Sequence, residues 1–196
     1  MKRLVLLFLL AAAPSAFAQQ DVLFDGSVEM GGYGGPSVRL GEFNGTPGLL
    51  VGGMGGWLID HRLTIGAAGY GLATVVEPTL PGGDTLRLDL GYGGGFIDYQ
   101  FFPDNVIHAG AHVLVGAGGI DYTRRGQDHD NNDHLGVGDA FFIVEPGISA
   151  EVNILRNLRL QATASYRVVS GVETPGTSNE DLSGPSAGLT LKIGSF

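Results

Sequence analysis

The chain has 196 residues, of which 34 are glycine and none is cysteine, and 20 acidic residues oppose 11 basic ones. The absence of cysteine excludes disulfide scaffolds, thiol catalysis and cysteine-based zinc sites. The net charge of −9 argues against nucleic acid as a partner, because nucleic-acid binding needs a basic surface.

Residues 1–18 have the form of a secretory signal peptide. A basic start precedes an unbroken apolar run over residues 4–13, and the Ala-Phe-Ala tripeptide at 16–18 has the small-x-small form of a cleavage site. The apolar run is shorter than the ~20 residues that a membrane-spanning helix needs. We therefore expect cleavage after this tripeptide and a single domain over residues 19–196.

The remaining sequence alternates with period two, the pattern of β-strands, in which successive side chains point to opposite faces. In residues 86–96, for example, leucines and aromatic residues at even positions alternate with polar residues and glycines. The pattern predicts eight strands, at about 27–40, 49–59, 62–74, 85–101, 106–122, 139–154, 157–170 and 184–196.

The predicted connections alternate in length, which is typical of an antiparallel up-and-down meander. The long connections are 42–48, 75–84, 123–138 and 171–183, and the short ones are 60–61, 102–105 and 155–156. We name the two ends accordingly the loop end and the turn end. Eight such strands can close into a barrel without an edge, and the interior of a barrel of this size is filled by side chains.

The polar face of each strand is expected to point into the barrel and the apolar face outward, as in a membrane barrel. The predicted strands exceed the ~5–6 residues usual in soluble proteins, and their polar faces are rich in small residues and nearly balanced in charge. The predicted interior charge network consists of Glu29, Arg39, Arg87, Asp89, Glu145, Glu151, Arg159, Arg167 and Lys192. Because a buried ion pair that loses one partner is costly, Arg87→Ala is expected to lower the unfolding temperature.

The signal peptide, the eight long strands, the alternation of short turns and long loops, and the terminal Phe196 together resemble small bacterial outer-membrane β-barrels of the OmpA and OmpX type. The resemblance covers nearly the whole mature chain and includes no active-site motif. It implies an all-β, eight-stranded antiparallel up-and-down transmembrane β-barrel, monomeric, in the outer membrane. The implied partners are outer-membrane lipid, lipopolysaccharide and the barrel-assembly machinery.

In proteins of this type the C-terminal aromatic residue is the assembly signal, a role that the resemblance assigns to Phe196. The apolar series of the last strand occupies odd positions from Ala187 to Ile193, so that Phe196 is out of phase by one residue. A bulge near Gly194 would restore the phase. Pro146 also predicts a bulge, because it removes a ladder donor in the middle of a strand, and Pro36 raises the same objection in the first strand.

Glycine-rich motifs recur once per strand through the first five strands, for example at 31–35 and 91–95. None precedes a predicted helix, so a phosphate-binding loop is not expected. We interpret the glycines as room for large neighbours such as Tyr33, Tyr70 and Tyr92. Close approach of a ligand or partner to bare backbone is the alternative interpretation.

The most polar segment, residues 128–134, lies in the longest predicted loop. Its candidate metal ligands follow the spacing of a calcium loop, and they are Asp128, Asp130, Asn132 and Asp139. However, Asp133 occupies the position that requires glycine, and the bidentate glutamate is absent. A solvated acidic loop is therefore the alternative, and no cofactor is expected.

Two histidines, His108 and His112, fall on the inward face of the fifth strand, about 13 Å apart and too far for one metal ion. We expect them to be core residues. Ser149 and His112 could meet an interior glutamate, but no local signature supports a hydrolase. The chain is therefore not expected to be an enzyme.

The aromatic residues near the short turns, Trp57, Tyr99, Phe101 and Phe102, predict part of an aromatic girdle at a membrane interface. The resulting functional hypothesis is an outer-membrane barrel with a structural or surface-interaction role. The principal alternative is a soluble periplasmic or secreted β-barrel that binds an apolar ligand in its interior. A narrow conducting pore is a further option.

Overall fold

The computed structural model describes residues 29–77, 86–124, 138–174 and 176–196. The predicted signal peptide lies outside the described residues, and so do Asp128, Asp130 and Asn132 of the candidate metal site. Within the described part, no helix is both long enough and apolar enough to cross a membrane.

The described chain folds into eight β-strands and one short helix. The strands are β1 (Met30–Phe43), β2 (Thr46–Ile59), β3 (Leu63–Leu72), β4 (Leu86–Phe101), β5 (Ile107–Arg124), β6 (Asp139–Leu155), β7 (Leu158–Ser170) and β8 (Gly184–Ser195), and helix α1 (Asn179–Leu182) precedes β8. Each strand pairs antiparallel with the next, and β1 also pairs with β8, so that the sheet closes into a barrel. The predicted eight-stranded up-and-down β-barrel is thereby confirmed.

The connection between β1 and β2 is shorter than the sequence analysis predicted. The prediction of a long loop over 42–48 is wrong, because the two strands stay paired up to Phe43 and Thr46. The turn consists of Asn44 and Gly45, which have φ angles of 53° and 72°. Asn-Gly is the dipeptide that best tolerates two consecutive positive φ angles, and it is therefore favoured in two-residue hairpin turns.

The bulges expected at Pro146 and near Gly194 are not formed. The register between β6 and β7 is the same on both sides of Pro146, although the pairing is interrupted there, and the pairing with β5 is continuous. The pairing of β8 with β1 also keeps one register up to Ser195. The missing donor of the proline is therefore accommodated by a local gap in one ladder, without an inserted residue. Pro36 shows the same arrangement, paired with β2 and facing a gap toward β8.

Inward glycines lie beside large side chains in the barrel interior. A Cβ atom on Gly66 would lie 2.7 Å from the ring of Phe96, and one on Gly118 would lie 2.6 Å from Cβ of Tyr92. A Cβ atom on Gly194 would lie 2.8 Å from Cβ of Tyr33. At Gly66 and Gly194 the added atom would lie even closer to a backbone oxygen of the neighbouring strand, so these glycines allow the close approach of both the neighbouring backbone and the aromatic side chains.

Candidate functional site

The barrel interior is the most densely organised part of the described chain, and its two halves differ in chemistry. The turn half, toward the short connections, contains a buried polar network of Asp98, Gln100, His108, Glu151, Arg159, Gln161 and Lys192. The loop half, toward the long connections, contains a mostly apolar core. A smaller ionic cluster lies between them, around Glu145.

Glu151 is the centre of the turn-half network. Its carboxylate accepts hydrogen bonds from Nζ of Lys192 at 2.6 Å and from Nη1 of Arg159 at 3.1 Å, and Nε2 of His108 lies 3.3 Å away. The side chain is 1 % exposed. A buried carboxylate is stable only when charged or polar donors satisfy its oxygens, and β5, β7 and β8 each supply one donor.

Asp98 is the second acid of this network, and the sequence analysis missed it. Its Oδ2 atom accepts from the side-chain amides of Gln100 and Gln161, each at 3.0 Å, and Nζ of Lys192 lies 3.6 Å away. The available signal was a change within β4, where the even positions are apolar up to Phe96 and polar afterwards. Because one alternation was assumed for the whole strand, the prediction overlooked this change.

Glu145 joins β1 to β4 and β7 in the middle of the barrel. It forms an ion pair with Arg39 and accepts hydrogen bonds from the hydroxyls of Tyr92, at 3.2 Å, and Ser165, at 2.5 Å. The carboxylate is fully buried. Strand β6, which carries Glu145, is thus connected to three other strands through one acidic side chain.

Each of the four buried basic side chains also lies over an aromatic ring, which attracts cations electrostatically. The distances to the ring centroids are 4.4 Å for Arg39 over Tyr70, 4.0 Å for Arg159 over Phe196, 4.1 Å for Arg167 over Phe43 and 4.5 Å for Lys192 over Tyr33. Aromatic residues therefore share with the acids the stabilisation of the interior charges.

The loop half is packed like the core of a soluble protein. Its buried side chains are Phe43, Leu50, Val76, Leu88, Leu90, Ile120, Tyr122, Phe141, Ile143, Val169 and Leu182. Val76 and Leu182 belong to the connections after β3 and β7, so the connecting segments themselves fill the mouth of the barrel.

The segment between β7 and β8 is tied across this mouth by hydrogen bonds. Nε of Arg167 donates to the carbonyl of Leu182 at 2.5 Å, the hydroxyls of Tyr122 and Thr177 lie 2.6 Å apart, and the amide of Asn44 donates to the carbonyl of Asp181 at 2.9 Å. We call the described residues of this segment, 171–174 and 176–183, the cap.

Three members of the predicted interior charge network lie elsewhere, and their predicted position is wrong. Arg87 and Asp89 are on the outer face of β4, where they form an ion pair at 3.3 Å with side chains 43 % and 46 % exposed. Glu29 is exposed beside His61 at the turn end. In the loop half of β4 the interior is apolar, so Leu88 and Leu90 face inward and their polar neighbours face outward. The other six predicted members, Arg39, Glu145, Glu151, Arg159, Arg167 and Lys192, are buried in the interior.

Phe196 follows the inward phase of β8. Its ring stacks on that of Tyr33, with 5.8 Å between the centroids, and it lies beneath the guanidinium of Arg159. Since β8 has no bulge, the residue that is out of phase with the outer apolar series lies against the interior and covers part of the turn end. Its role as an assembly signal stays a prediction.

Asp139 is the one described residue of the candidate metal site. Its carboxylate accepts hydrogen bonds from the backbone amides of Ala140 and Glu173, at 2.8 and 2.5 Å, and from the hydroxyl of Thr174 at 3.1 Å. Asp139 therefore fastens the start of the cap to β6. Among the described residues, no group of three or more acidic or histidine side chains is placed to hold a metal ion.

The histidines of β5 differ in their surroundings. His108 lies between Glu151 and the carbonyl of Asn105, each at 3.3 Å. His112 has no hydrogen-bond partner for either ring nitrogen, and the hydroxyl of Ser149 has none either. Because a nucleophile and its base must be hydrogen-bonded to act together, the structure does not assemble the serine–histidine pair that a hydrolase needs.

The outer surface carries an apolar band. Its exposed side chains along the strands include Val38, Leu40, Val51, Ile65, Ile97, Val113, Val115, Val144, Ile148, Val152, Leu160, Val168, Leu189 and Ile193. Trp57, Tyr99, Phe101 and Phe102 are exposed near the turn end, where the girdle was predicted. In the turn half, this distribution, apolar outside and ionic inside, is the inverse of that in a soluble barrel.

The comparisons with known proteins bear on the fold. No protein-family model matches this sequence, and no curated protein matches it either. The N-terminal β-barrel domain of Pseudomonas aeruginosa OprF is similar in structure, with a TM-score of 0.52 and 13 % identity over 84 % of this chain and 96 % of that domain. The chain therefore has the fold of a small eight-stranded outer-membrane β-barrel.

Two further solved structures are similar at lower scores. Neisserial surface protein A has a TM-score of 0.49 and 14 % identity, over 85 % of this chain and 95 % of that protein. The attachment invasion locus protein Ail of Yersinia pestis has a TM-score of 0.45 and 12 % identity, over 84 % of this chain and 95 % of that protein.

Proposed function

We propose that this protein resides in the outer membrane and has a structural or surface-interaction role there, without catalysis. The observation that carries the proposal is the combination of an apolar outer band with a buried ionic interior. Hydrocarbon surroundings allow a sheet to cross only as a closed barrel, because each backbone donor and acceptor must be paired. The closed eight-stranded sheet meets this requirement.

The interior favours a role at the surface over one inside the barrel. The turn half is filled by hydrogen-bonded charges, and the loop half is filled by large apolar side chains. The cap crosses the mouth and adds the buried Leu182 to this core. A filled barrel leaves the outward face of the cap and the other loops as the parts free to contact a partner.

The proposed partners follow from the surfaces. The apolar band fits lipid acyl chains, and the loop end would stand among the headgroups of lipopolysaccharide. The acidic cap residues Glu173, Glu180 and Asp181 would meet its phosphates through divalent cations, because direct contact would place like charges together. Barrel closure leaves no edge strand to recruit a second copy, which supports a monomer, and the barrel-assembly machinery is the proposed insertion partner.

The experiment that tests the location is fractionation of expressing cells, with the membrane fraction run unheated and boiled on SDS gels. We expect the protein in the outer-membrane fraction and a change in mobility on boiling, since a closed barrel resists SDS when cold. A soluble periplasmic protein without such a change would contradict the proposal. That result would instead support the alternative of a soluble barrel that binds an apolar ligand. An apolar ligand would need a binding cavity less polar than the turn-half network.

The two roles can then be separated in cells. Deletion of the gene is expected to raise sensitivity to detergents if the role is structural. Replacement of the exposed cap residues Ser178 and Glu180 by alanine is expected to leave that sensitivity unchanged and to reduce surface binding if the role is interaction. Unchanged detergent sensitivity of the deletion strain, together with unchanged surface binding by the cap variant, would overturn both roles.

A further inference from the structure

Two buried arginines and one carboxylate lie near one another in the middle of the barrel. Arg39 forms an ion pair with Glu145, and Arg167 interacts electrostatically with both of these residues. Arg167 donates to two backbone carbonyls, of Leu182 at 2.5 Å and of Glu42 at 3.0 Å, and it also interacts with the side chain of Tyr92. The two guanidinium groups are 4 % and 1 % exposed, so water screens neither charge effectively.

The charges of the described interior do not balance at this point. In the turn half, Arg159 and Lys192 are matched by Asp98 and Glu151. Around Glu145, two arginines face one acid, which leaves one positive charge in excess when the histidines are neutral. An arginine cannot lose its proton in a protein, and a buried charge without a counter-charge is strongly unfavourable.

Three buried donors on β1, β7 and β8 lack acceptors. Nε of Arg39, Nη1 of Arg167 and the hydroxyl of Ser186 are buried and have no hydrogen-bond partner. Gly41 lies two residues after Arg39 on β1, pairs with Ser186 of β8 and lies beside Arg167. A Cβ atom on Gly41 would lie 3.3 Å from Nη1 of Arg167 and 3.6 Å from the ring of Phe43.

We propose that a monovalent inorganic anion of the halide class binds beside Gly41, held by Arg39, Arg167 and Ser186. The anion accepts the three unpartnered hydrogens and neutralises the excess charge. A water molecule would satisfy the donors and leave the charge, and a divalent anion would reverse its sign. Chloride, the common biological halide, is therefore the occupant.

The test uses the full barrel folded in detergent, with chloride replacing gluconate at constant ionic strength. Chloride is expected to raise the unfolding midpoint by about 5–10 °C at ~100 times its Kd, and bromide is expected to act alike. Crystals soaked in bromide are expected to show an anomalous peak within hydrogen-bonding distance of Nη1 of Arg167. Equal unfolding midpoints in chloride and gluconate would overturn the proposal. So would a crystal in which a water molecule occupies the site and bromide gives no anomalous peak there.

Matched variants separate the anion from general salt effects. Arg167→Gln removes the excess charge and is expected to abolish the chloride-dependent shift, whereas Arg159→Gln makes the same change in the balanced turn-half network and is expected to retain it. Gly41→Ala places a methyl group in the proposed site while keeping every charge, so it decides the matter if Arg167→Gln fails to fold. A chloride shift that persists in Gly41→Ala would contradict the site.

Discussion

The two halves of the barrel interior are stabilised by different interactions, although the same eight strands form both. In the turn half, buried acids and bases neutralise one another, with Glu151 as the shared acceptor. In the loop half, leucines and aromatic residues exclude water as they do in a soluble core. The difference shows that one barrel can combine two rules of side-chain distribution along its axis.

Both side-chain distributions occur along strand β4. Near the loop end, Leu88 and Leu90 face inward while Arg87 and Asp89 face outward. Near the turn end the pattern is reversed, with Asp98 buried and Ile97 exposed. The alternation of side chains is unbroken, so only the surroundings change. Under the proposed function, the boundary between the membrane and the aqueous phase crosses β4 between Asp89 and Ile97.

The largest predicted effect comes from removing the central acid of the turn half. Glu151→Ala leaves Lys192 and Arg159 without their acceptor, and it is expected to lower the free energy of unfolding by about 3–5 kcal/mol. The measurement is unfolding of the folded barrel in urea. Glu173→Ala, which removes an exposed acid, serves as the control. A loss as small as that of the control would mean that the turn-half network is not stabilising.

A smaller effect is expected in the loop half. Leu88→Ala creates a cavity in the apolar core and is expected to reduce the free energy of unfolding by about 2–5 kcal/mol. The same urea titration measures it. Leu88→Asn should also be destabilising, because it would bury an amide among apolar side chains. If Leu88→Asn were as stable as the parent, Leu88 would have to face outward.

Detaching the cap is expected to change local more than global stability. Asp139→Ala removes the acceptor for the amide of Glu173 and the hydroxyl of Thr174. Limited proteolysis should therefore cleave within residues 171–183 faster in the variant, while the urea midpoint changes little. Asp139→Asn retains one acceptor oxygen and should give an intermediate rate. Unchanged cleavage in both variants would show that the cap is held by other contacts.

The smallest effect is expected for an outward charge of the loop half. Arg87→Ala breaks an ion pair that is nearly half exposed, and such pairs contribute about 0–1 kcal/mol. This outcome replaces the loss of stability that the sequence analysis expected from an interior Arg87. Thermal unfolding of the variant distinguishes an outward Arg87 from an interior one. A large decrease in the unfolding temperature would indicate that Arg87 lies in the interior.

Much of the fold was predictable because alternation and loop length are local signals. The eight strands, their antiparallel order and six interior charges, including Glu145 and Lys192, followed from period-two patterns. The Asn44-Gly45 turn was equally visible in the sequence and was overlooked. The register at Pro146 was not predictable, because a strand can accommodate a missing hydrogen-bond donor by either a bulge or a gap in the pairing. The pairing with the neighbouring strands decides between these two arrangements.

The candidate site was harder to predict than the strands. The sequence analysis applied one orientation to every strand, and this assumption failed for Arg87, Asp89 and Asp98. Which face is inward depends on what fills the barrel at each height, and that is set by residues far apart in the chain, such as Leu88 and Leu182, which belong to the same buried core. The cap is a further example, since its attachment to Asn44 and Asp139 has no local pattern.

Single-cysteine labelling along β4 directly tests whether the inward and outward faces of the strand change character along the barrel axis, because the chain has no cysteine of its own. We expect a cysteine at position 89 to react from outside intact cells with a membrane-impermeant maleimide. Fluorophores at positions 97 and 99 should instead be quenched by nitroxide-labelled lipid, and a cysteine at position 98 should remain inaccessible to both. Lipid quenching at 98 together with aqueous labelling at 97 and 99 would contradict the account.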